Sequence, residues 1–501
     1  MVKHFFLVLS TLVFVLMQFG CSPAREEPDQ PPPPNIVFLF ADDMTYTAIH
    51  ALGNTEIETP NLDRLVRDGT TFTHTYNMGG WNGAVCIASR SMMISGRSLW
   101  RANQFKDQWQ QNDSLALTQT WGNLMEQQGY NTYLTGKWHV AANPDSVFQT
   151  VRHVRPGMPG DFRSQGSFDS PETMPLGYNR PKNEQDQSWS PYDTAMGGFW
   201  EGGQHWSEVL RDDALNFLDS AVAQPAPFFM YLAFNAPHDP RQAPKEYVDR
   251  YPLDSISLPE SWIPRYPYDE GIGLGPKLRD EALAPFPRTE YATKVHRQEY
   301  YAIITHLDEQ IGKILDALEA SGEMENTYIF FSADHGLSVG RHGLLGKQNM
   351  YDHSVRVPLM MVGPEIPANQ RVDSDVYLQD VMATSLELAN IPKPDYVEFN
   401  SFLDLARGEA SEETYDAIYG SYINYQRMIR KDGMKLIVYP DIDQVLLYDL
   451  EQDPQEITNL ADDPAYADQV TRLFQDLQAL QQQYADTLNL ESVYQQLQRQ
   501  L

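Results

Sequence analysis

Cysteine is nearly absent from this 501-residue chain, which has only Cys21 and Cys86. So few cysteines exclude a fold held together by a disulfide framework. Basic residues are also scarce, since 37 lysines and arginines face 68 aspartates and glutamates, for a formal net charge of −31. A nucleic acid or an anionic lipid surface requires a basic face on its partner, so the charge excludes both as bulk partners.

A long apolar run is missing at the N-terminus, where residues 5–17 form a run of about thirteen residues, too short to favour a membrane span. The run follows Lys3 and leads to Gly20-Cys21, a pattern that resembles a bacterial lipoprotein signal; an ordinary signal peptide is the alternative. We therefore expect residues 1–21 to be a lipoprotein-type signal peptide and Cys21 to carry a lipid anchor. The mature protein is then exported, to the periplasm or outer membrane of a Gram-negative bacterium.

Cys86, the other cysteine, has no disulfide partner once Cys21 is lipidated. An unpaired cysteine in an exported protein suggests a reactive side chain. Cys86 lies among small residues, at the predicted start of a helix, within 82–97, which reads NGAVCIASRSMMISGR.

Alternating apolar segments predict an α/β layered domain over residues 35–400. The proline-rich segment 22–34 before it is expected to be an extended tether. The runs at 36–40, 227–234 and 328–332 are typical of strands buried on both faces. Helices are predicted around 115–128 and from about 293 to 321 by their helical spacing of apolar residues.

Two insertions interrupt this alternation of strands and helices, and the C-terminal segment has the pattern of strands joined by a hairpin. Residues 141–205 and 252–290 are rich in proline, glycine and polar residues, and insertions of that length are usually functional loops. Residues 401–501 are predicted to form a small subdomain with an antiparallel sheet, a hairpin turn at Asp432-Gly433 and a packing helix after Thr471.

Polar clusters follow four of the predicted strands: Asp42-Asp43, Lys137–His139, His238 and Asp334-His335. In an open α/β sheet, ligands bind at the carboxyl ends of the strands. Acidic residues at two strand ends suggest a hard cation such as Ca²⁺. An acidic pair is more often a turn, and a lone histidine is more often structural, but four such clusters favour a site.

The chain resembles the type I, formylglycine-dependent sulfatases of the alkaline phosphatase superfamily, in particular the exported bacterial polysaccharide sulfatases. Residues 86–90, CIASR, followed by Gly96-Arg97, are similar to the family signature C-x-P-S-R…T-G-R, with Ala88 in place of the proline. The four strand-end clusters match in chain order, as does Lys347 in GLLGK, and the resemblance spans roughly residues 35–465.

The resemblance implies a large, mixed, mainly parallel sheet between helices and a smaller C-terminal antiparallel sheet. It also implies a maturation enzyme that converts Cys86 to formylglycine. One hydroxyl of the hydrated aldehyde attacks sulfur, and deprotonation of the second then expels sulfate. The implied ligands of Ca²⁺ are Asp42, Asp43, residue 86, Asp334 and His335, the last standing where many relatives have asparagine.

The resemblance also assigns roles around the sulfate group. Arg90 orients residue 86, where the alternative is a surface arginine one helical turn along, and Lys137 and Lys347 neutralise sulfate charge. His139 is the implied base, and His238 is the implied general acid at the leaving oxygen. Candidates for contacts with the organic part of the substrate, with a structural role favoured for each, are His205, Arg341, His342 and His353.

Three functions follow from these observations, and they differ in what the site does. The first is hydrolysis of sulfate esters on an extracellular carbohydrate, with algal polysaccharides such as ulvan or carrageenan preferred over glycosaminoglycans. The second is hydrolysis of a phosphodiester or phosphonate monoester, because relatives share the nucleophile and the metal site. The third is a non-catalytic lipoprotein that captures sulfated glycans with an unconverted Cys86.

Overall fold

The structure is a computed structural model that describes residues 33–159, 182–273, 275–411 and 413–500. The predicted signal peptide and almost all of the predicted tether lie outside the described residues, so both stay predictions. Within the described ranges, the helices are too short or too polar to cross a membrane.

The strands of the described residues are β1 (Asn35–Ala41), β2 (Thr70–Tyr76), β3 (Gly79–Gly80), β4 (Asn131–Lys137), β5 (Thr150–Arg155), β6 (Trp200–Glu201), β7 (Gln204–His205), β8 (Phe228–Ala233), β9 (Thr327–Ala333), β10 (Arg356–Val362), β11 (Gln370–Tyr377), β12 (Ile418–Tyr422), β13 (Gln426–Lys431), β14 (Met434–Tyr439) and β15 (Gln444–Asp449).

The helices are α1 (Pro60–Asp68), α2 (Val85–Ser95), α3 (Leu99–Gln110), α4 (Ser114–Thr118), α5 (Trp121–Gln127), α6 (Trp206–Ala221), α7 (Lys245–Val248), α8 (Glu290–Ser321), α9 (Asp352–Val355), α10 (Asp380–Leu388), α11 (Leu403–Arg407), α12 (Ala467–Gln483) and α13 (Glu491–Gln500).

The large sheet has the strand order β11-β2-β10-β9-β1-β8-β4-β5. Neighbouring strands are parallel except at β10, which is antiparallel to both β2 and β9. Every residue of β1, β8 and β9 is buried, because long apolar runs of this kind are stable only where both faces of a sheet are covered. The predicted mixed, mainly parallel sheet is confirmed.

Four adjacent parallel strands, β9, β1, β8 and β4, end at one edge of this sheet. Phe40 of β1 is level with Ala233 of β8 and with Ser332 of β9, and Ala233 is level with Gly136 of β4. Residues that follow these strands therefore meet at the same edge, although they are far apart in the chain.

The helix predicted around 115–128 is divided in the structure into α4 and α5. Asp113 caps α4 through the N–H groups of Leu115 and Ala116. Thr120 then adopts an extended conformation, and its hydroxyl donates to the carbonyl of Leu117 at 2.8 Å. A threonine side chain that bonds the preceding turn competes with continuation of the helix, and apolar spacing alone does not reveal this.

The small sheet has the order β15-β14-β13-β12-β3, and it confirms the predicted antiparallel C-terminal sheet. Asp432 and Gly433 both have positive φ, as a tight hairpin turn requires. The short strand β3 joins this sheet in parallel with β12, and a Cβ at Gly79 would lie 2.1 Å from the carbonyl oxygen of Ser421. The C-terminal sheet thus packs directly against the segment that leads into α2.

Candidate active site

Cys86 is the second residue of α2 and is buried at the strand-end edge of the large sheet. Its Sγ lies 3.4 Å from Oδ1 of Asp42, 3.6 Å from Oδ1 of Asp43 and 3.0 Å from Nζ of Lys347. Burial, followed by the nearby charges of Asp334 and Asp43, raises the pKa of the thiol well above its usual range. The unmodified side chain is therefore a protonated thiol, which is a poor nucleophile.

Three buried carboxylates surround this position, two of them directly after β1 and one directly after β9. The backbone N–H of Asp43 donates to Oδ1 of Asp334 at 3.1 Å, and the side-chain amide of Asn77 donates to the main-chain carbonyl of Asp334. Burial, with the charge of Asp334 second, raises the pKa of Asp42 to about 8. Burial also raises the pKa of Asp43 to about 6, although Lys347 acts against it. Nearby positive charge is thus required to keep both groups ionised.

Arg90 is completely buried, so the alternative of a surface arginine is wrong. Its Nε donates to Oδ2 of Asp334 at 2.7 Å, one terminal nitrogen donates to the main-chain carbonyl of Lys137 at 2.7 Å, and the guanidinium lies over the ring of Phe40. Burial raises the pKa of Asp334, but Arg90 outweighs it and holds that pKa below its usual range. Arg90 therefore connects the ends of β9 and β4.

The two lysines each pair with one carboxylate of the Asp42-Asp43 pair. Lys137, the last residue of β4, forms an ion pair with Asp42. Nζ of Lys347 lies 2.7 and 2.5 Å from the two carboxylate oxygens of Asp43. Both lysines are buried, so these are pairs shielded from solvent, where removal of one partner is costly.

His139 and His238, the two histidines predicted to transfer protons, are both neutral in this environment. Burial, followed by the charge of Lys137, lowers the pKa of His139, and burial followed by Lys347 lowers the pKa of His238 well below its usual value. Nδ1 of His238 lies 2.6 Å from the main-chain oxygen of Asp239, and Nε2 lies 3.6 Å from Oδ2 of Asp43. Because a carbonyl oxygen only accepts, the neutral ring of His238 carries its proton on Nδ1.

A group of possible metal ligands lies within 4.8 Å of one another, with one atom each from Asp42, Asp43, Cys86 and His238. The family resemblance implies proton transfer for His238 and does not include it among the metal ligands. Asp334, a predicted ligand, lies beside this group through its contact with Asp43. His335 places Nδ1 3.2 Å from the oxygen of Gly336, and its buried Nε2 has no hydrogen-bond partner within the described part of the chain.

The chemistry of this donor set fits a hard divalent cation. Ca²⁺ prefers carboxylate oxygens, and the raised pKa values of Asp42 and Asp43 mean that bringing a cation close would favour their ionised forms. An orphaned buried nitrogen such as Nε2 of His335 is also typical of a ligand position.

Sequence reasoning missed the residues that hold Lys347 in place. Glu281, in the 252–290 insertion, accepts hydrogen bonds from the N–H groups of Leu345 at 3.0 Å and Gly346 at 2.8 Å. The same carboxylate pairs with buried Arg288. The length and composition of this insertion predicted a functional loop, but no short pattern identifies which acid in it reaches the turn before Lys347.

The four candidates for substrate contacts have partners inside the protein: His205, Arg341, His342 and His353. Nδ1 of His205 accepts from the N–H of Ser207 and so caps α6. The ring of His342 stacks on Tyr351 with a centroid separation of 4.1 Å, and its Nδ1 lies 3.2 Å from Nε2 of His353. A terminal nitrogen of Arg341 donates to the hydroxyl of Thr47 at 2.9 Å. These contacts favour the structural role for each.

Two solved structures share the fold over nearly the whole chain. A protein in complex with its substrate D-glucosamine-2-N,6-O-disulfate has a TM-score of 0.70 and 23% identity, covering 91% of this chain and 99% of that one. A phosphonate monoester hydrolase of Agrobacterium radiobacter has a TM-score of 0.68 and 21% identity, covering 90% and 96%. At 23% and 21% identity, these similarities show that the fold is shared and nothing more.

Sequence relatives are similar over most of their length. An arylsulfatase of Clostridium perfringens is 27% identical over 479 residues, covering 90% of this chain and 96% of the relative. An ulvan-active sulfatase of Formosa agariphila is 26% identical over 400 residues, covering 78% and 69%. The family profile for the C-terminal region of N-sulphoglucosamine sulphohydrolase matches residues 340–483, and the profile described as Sulfatase matches residues 34–391. Since that second match covers well over half of the chain, the protein belongs to the sulfatase family, whose members are hydrolases of sulfuric ester bonds.

Proposed function

We propose that this sulfatase removes sulfate groups from a sulfated carbohydrate, using formylglycine formed from Cys86 and a bound Ca²⁺. The observation that carries the proposal is the position of residue 86, at the start of α2 and in contact with Asp42, Asp43 and Lys347. A cysteine there is held protonated, so the surroundings do not suit a thiolate nucleophile. They do suit a side chain whose hydroxyl groups contact a cation and a lysine.

In this interpretation, Sγ of Cys86 marks the place of the hydroxyl groups of hydrated formylglycine. The N-terminal end of α2 favours an anion next to that place through its dipole. Arg90 holds the carboxylate of Asp334 and the backbone of Lys137, so its effect on residue 86 is to fix the groups around it.

The residues that would hold Ca²⁺ are Asp42, Asp43, Asp334 and His335, together with residue 86. When bound, the ion polarises a sulfate oxygen and lowers the pKa of the nucleophilic hydroxyl. When all three carboxylates are ionised, their charge is matched by Arg90, Lys137 and Lys347. A divalent cation therefore makes the site net positive, which suits the negative charge of a sulfate ester.

The neutral histidines have complementary tasks. His139 can accept a proton, because burial keeps its ring unprotonated. His238 has its resting proton on Nδ1, which bonds to Asp239, so it must take up a second proton on Nε2 before it can protonate the leaving oxygen. The negative charge of a bound sulfate ester favours that uptake.

The proposed substrate is an extracellular polymer, preferably an algal polysaccharide such as ulvan or carrageenan. The similarity to an ulvan-active sulfatase supports this choice, and a net charge of −31 suits a protein that must stay soluble in salty surroundings. Export and anchoring through a lipid on Cys21 are part of the same proposal, since the substrate is outside the cell.

The test compares the purified, matured protein with Cys86→Ala and Cys86→Ser. We expect the tryptic peptide that contains residue 86 to have the lower mass of an aldehyde in the wild type, and hydrolysis of an aryl sulfate to fall by at least about a thousandfold in both variants. An unconverted thiol in a protein that still binds sulfated glycans would favour glycan capture. A higher kcat/KM on an aryl phosphodiester than on the aryl sulfate would favour the phosphodiester hydrolase.

A further inference from the structure

A continuous chain of polar contacts lies next to the predicted catalytic residues Lys347 and His238. We call it the outer arc, and its members are Gly83, Gln348, Asp280, Arg279 and Asp239. The amide of Gln348 donates to the carbonyl of Gly83 at 3.0 Å and to Oδ2 of Asp280 at 2.7 Å. Arg279 pairs with Asp280 and also with Asp239, whose Oδ1 lies 3.4 Å from the guanidinium. Four distant segments of the chain, around residues 83, 239, 279–280 and 348, are thereby connected.

The outer arc adjoins the catalytic residues at several points. Its first member is three residues before Cys86. Gln348 follows Lys347 directly, and Asp239 follows His238 and accepts from its ring through the main-chain oxygen. A ligand whose sulfate group reaches residue 86 therefore has the rest of its structure close to this arc.

Arg279 is the most exposed of the three charged side chains in the outer arc. Its side chain is 21% exposed, whereas the side chains of Asp239 and Asp280 are 2% and 3% exposed. A ligand that approaches from solvent meets the arginine and not the carboxylates behind it. Since the two ion pairs already restrict the guanidinium, little side-chain entropy is lost when a ligand binds to it.

The loop 81–84, at the Gly83 end of the outer arc, carries two further polar groups. Nε1 of Trp81 and Oδ1 of Asn82 are buried and have no hydrogen-bond partner among the residues that the structure describes. Buried polar atoms without partners are costly, and a ligand that supplies the missing bonds is one explanation for them. One is a donor and the other an acceptor, which is the pair that the hydroxyl groups of a sugar can satisfy.

We infer that Arg279 is a specificity-determining residue that binds a second anionic substituent, a carboxylate or another sulfate, on the sugar that carries the scissile ester. Trp81 and Asn82 bind hydroxyl groups of the same ligand. This rests on the proposed function and deepens it, because it restricts the substrate to acidic or multiply sulfated sugars. An arginine presents several N–H donors in a planar fork, and that geometry matches a carboxylate or a sulfate group.

The test uses two aryl sulfates that differ only in charge, 3-carboxyphenyl sulfate and its methyl ester. We expect the wild type to have a KM about tenfold lower for the carboxylate, as an additional charge-assisted hydrogen bond provides. Arg279→Gln should abolish this preference, and Arg279→Lys should keep part of it. The matched control is Arg265→Gln, in the same insertion, where the arginine is 64% exposed and pairs with Asp269; it should keep the full preference.

Each outcome separates the alternatives. A purely structural role for Arg279 predicts an equal loss of kcat on both probes with the preference retained, and that result overturns the inference. A wild type without a preference for the carboxylate overturns it as well. If Arg279→Gln does not fold, Arg279→Lys decides, since an unchanged preference in that variant overturns the inference and a reduced one supports it. A wild type that hydrolyses neither probe refutes the proposed function itself, and the inference falls with it.

Discussion

Replacing Arg90 by methionine should destabilise the protein strongly, because the replacement leaves a carboxylate without its main cation inside the sheet edge. Arg90 and Asp334 are both completely buried, and their ion pair is 2.7 Å long. Removing one partner of a buried pair costs about 3–5 kcal/mol, which is a large share of the roughly 5–15 kcal/mol that stabilises a typical domain. Methionine retains an apolar stem, so the loss arises chiefly from the charge and from the lost bond to the carbonyl of Lys137.

The assay is the free energy of unfolding in urea, measured with a chelator and again with excess Ca²⁺. With the chelator we expect the full loss, and with Ca²⁺ a smaller one, since the cation compensates Asp334 in place of the guanidinium. The matched control is Arg67→Met, an exposed arginine paired with Asp68 on α1, for which no measurable change is expected.

A double variant tests whether the uncompensated charge of Asp334 causes the loss of stability. If the loss comes from the uncompensated carboxylate, Arg90→Met combined with Asp334→Asn should be more stable in the presence of chelator than Arg90→Met alone. The reasoning is refuted if Arg90→Met is as stable as Arg67→Met, or if the double variant shows the sum of the two single losses.

Three further predictions concern other parts of the molecule. Asp334→Asn should lower the affinity for Ca²⁺ by at least about tenfold, because one anionic ligand is lost; metal titration checks this, and unchanged affinity would exclude Asp334 as a ligand. Burial lowers the pKa of His342 to about 4, below its unfolded value of about 6.5. The contribution of this residue to the free energy of unfolding is therefore fully present above pH 6.5 and falls by up to about 1.4 kcal/mol per pH unit towards pH 4. His342→Gln should make the measured pH dependence of the free energy of unfolding shallower, and an equally steep profile would contradict the shift. Gly129 and Gly136 both have φ of +93°, but a Cβ would meet nothing within 4 Å at the first and would lie 1.9 Å from the oxygen of Ala233 at the second; Gly129→Ala should cost about 1 kcal/mol and Gly136→Ala far more, and similar melting temperatures for the two variants would disprove the steric argument.

Much of the fold could be predicted from local patterns. The fully buried strands β1, β8 and β9 were predicted because long apolar runs stand out against the sequence around them. The hairpin at Asp432-Gly433 was predicted because few residues tolerate positive φ at both positions of the turn. The division between α4 and α5 was not predicted. It depends on the hydrogen bond from the Thr120 side chain to the carbonyl of Leu117, which competes with continuation of the helix.

The candidate site could also be anticipated in its residue types. Polar residues that directly follow buried parallel strands must come together at one sheet edge, so Asp42 and Asp334 could be placed together without coordinates. The segment around Cys86 was singled out because an isolated cysteine in such a chain requires a reason.

Contacts between distant segments could not be derived in this way, because hydrogen bonds and ion pairs depend on side-chain distances that leave no periodic pattern in the chain. Glu281 supports the turn before Lys347 across more than sixty intervening residues, and Arg279 pairs with Asp239, which is 40 positions away in the chain. His238 joins the metal-ligand group only because β8 lies next to β1 in the sheet. Burial is equally a property of the assembled fold, and it is burial, followed by neighbouring charge, that keeps the thiol of Cys86 protonated and raises the pKa of Asp42.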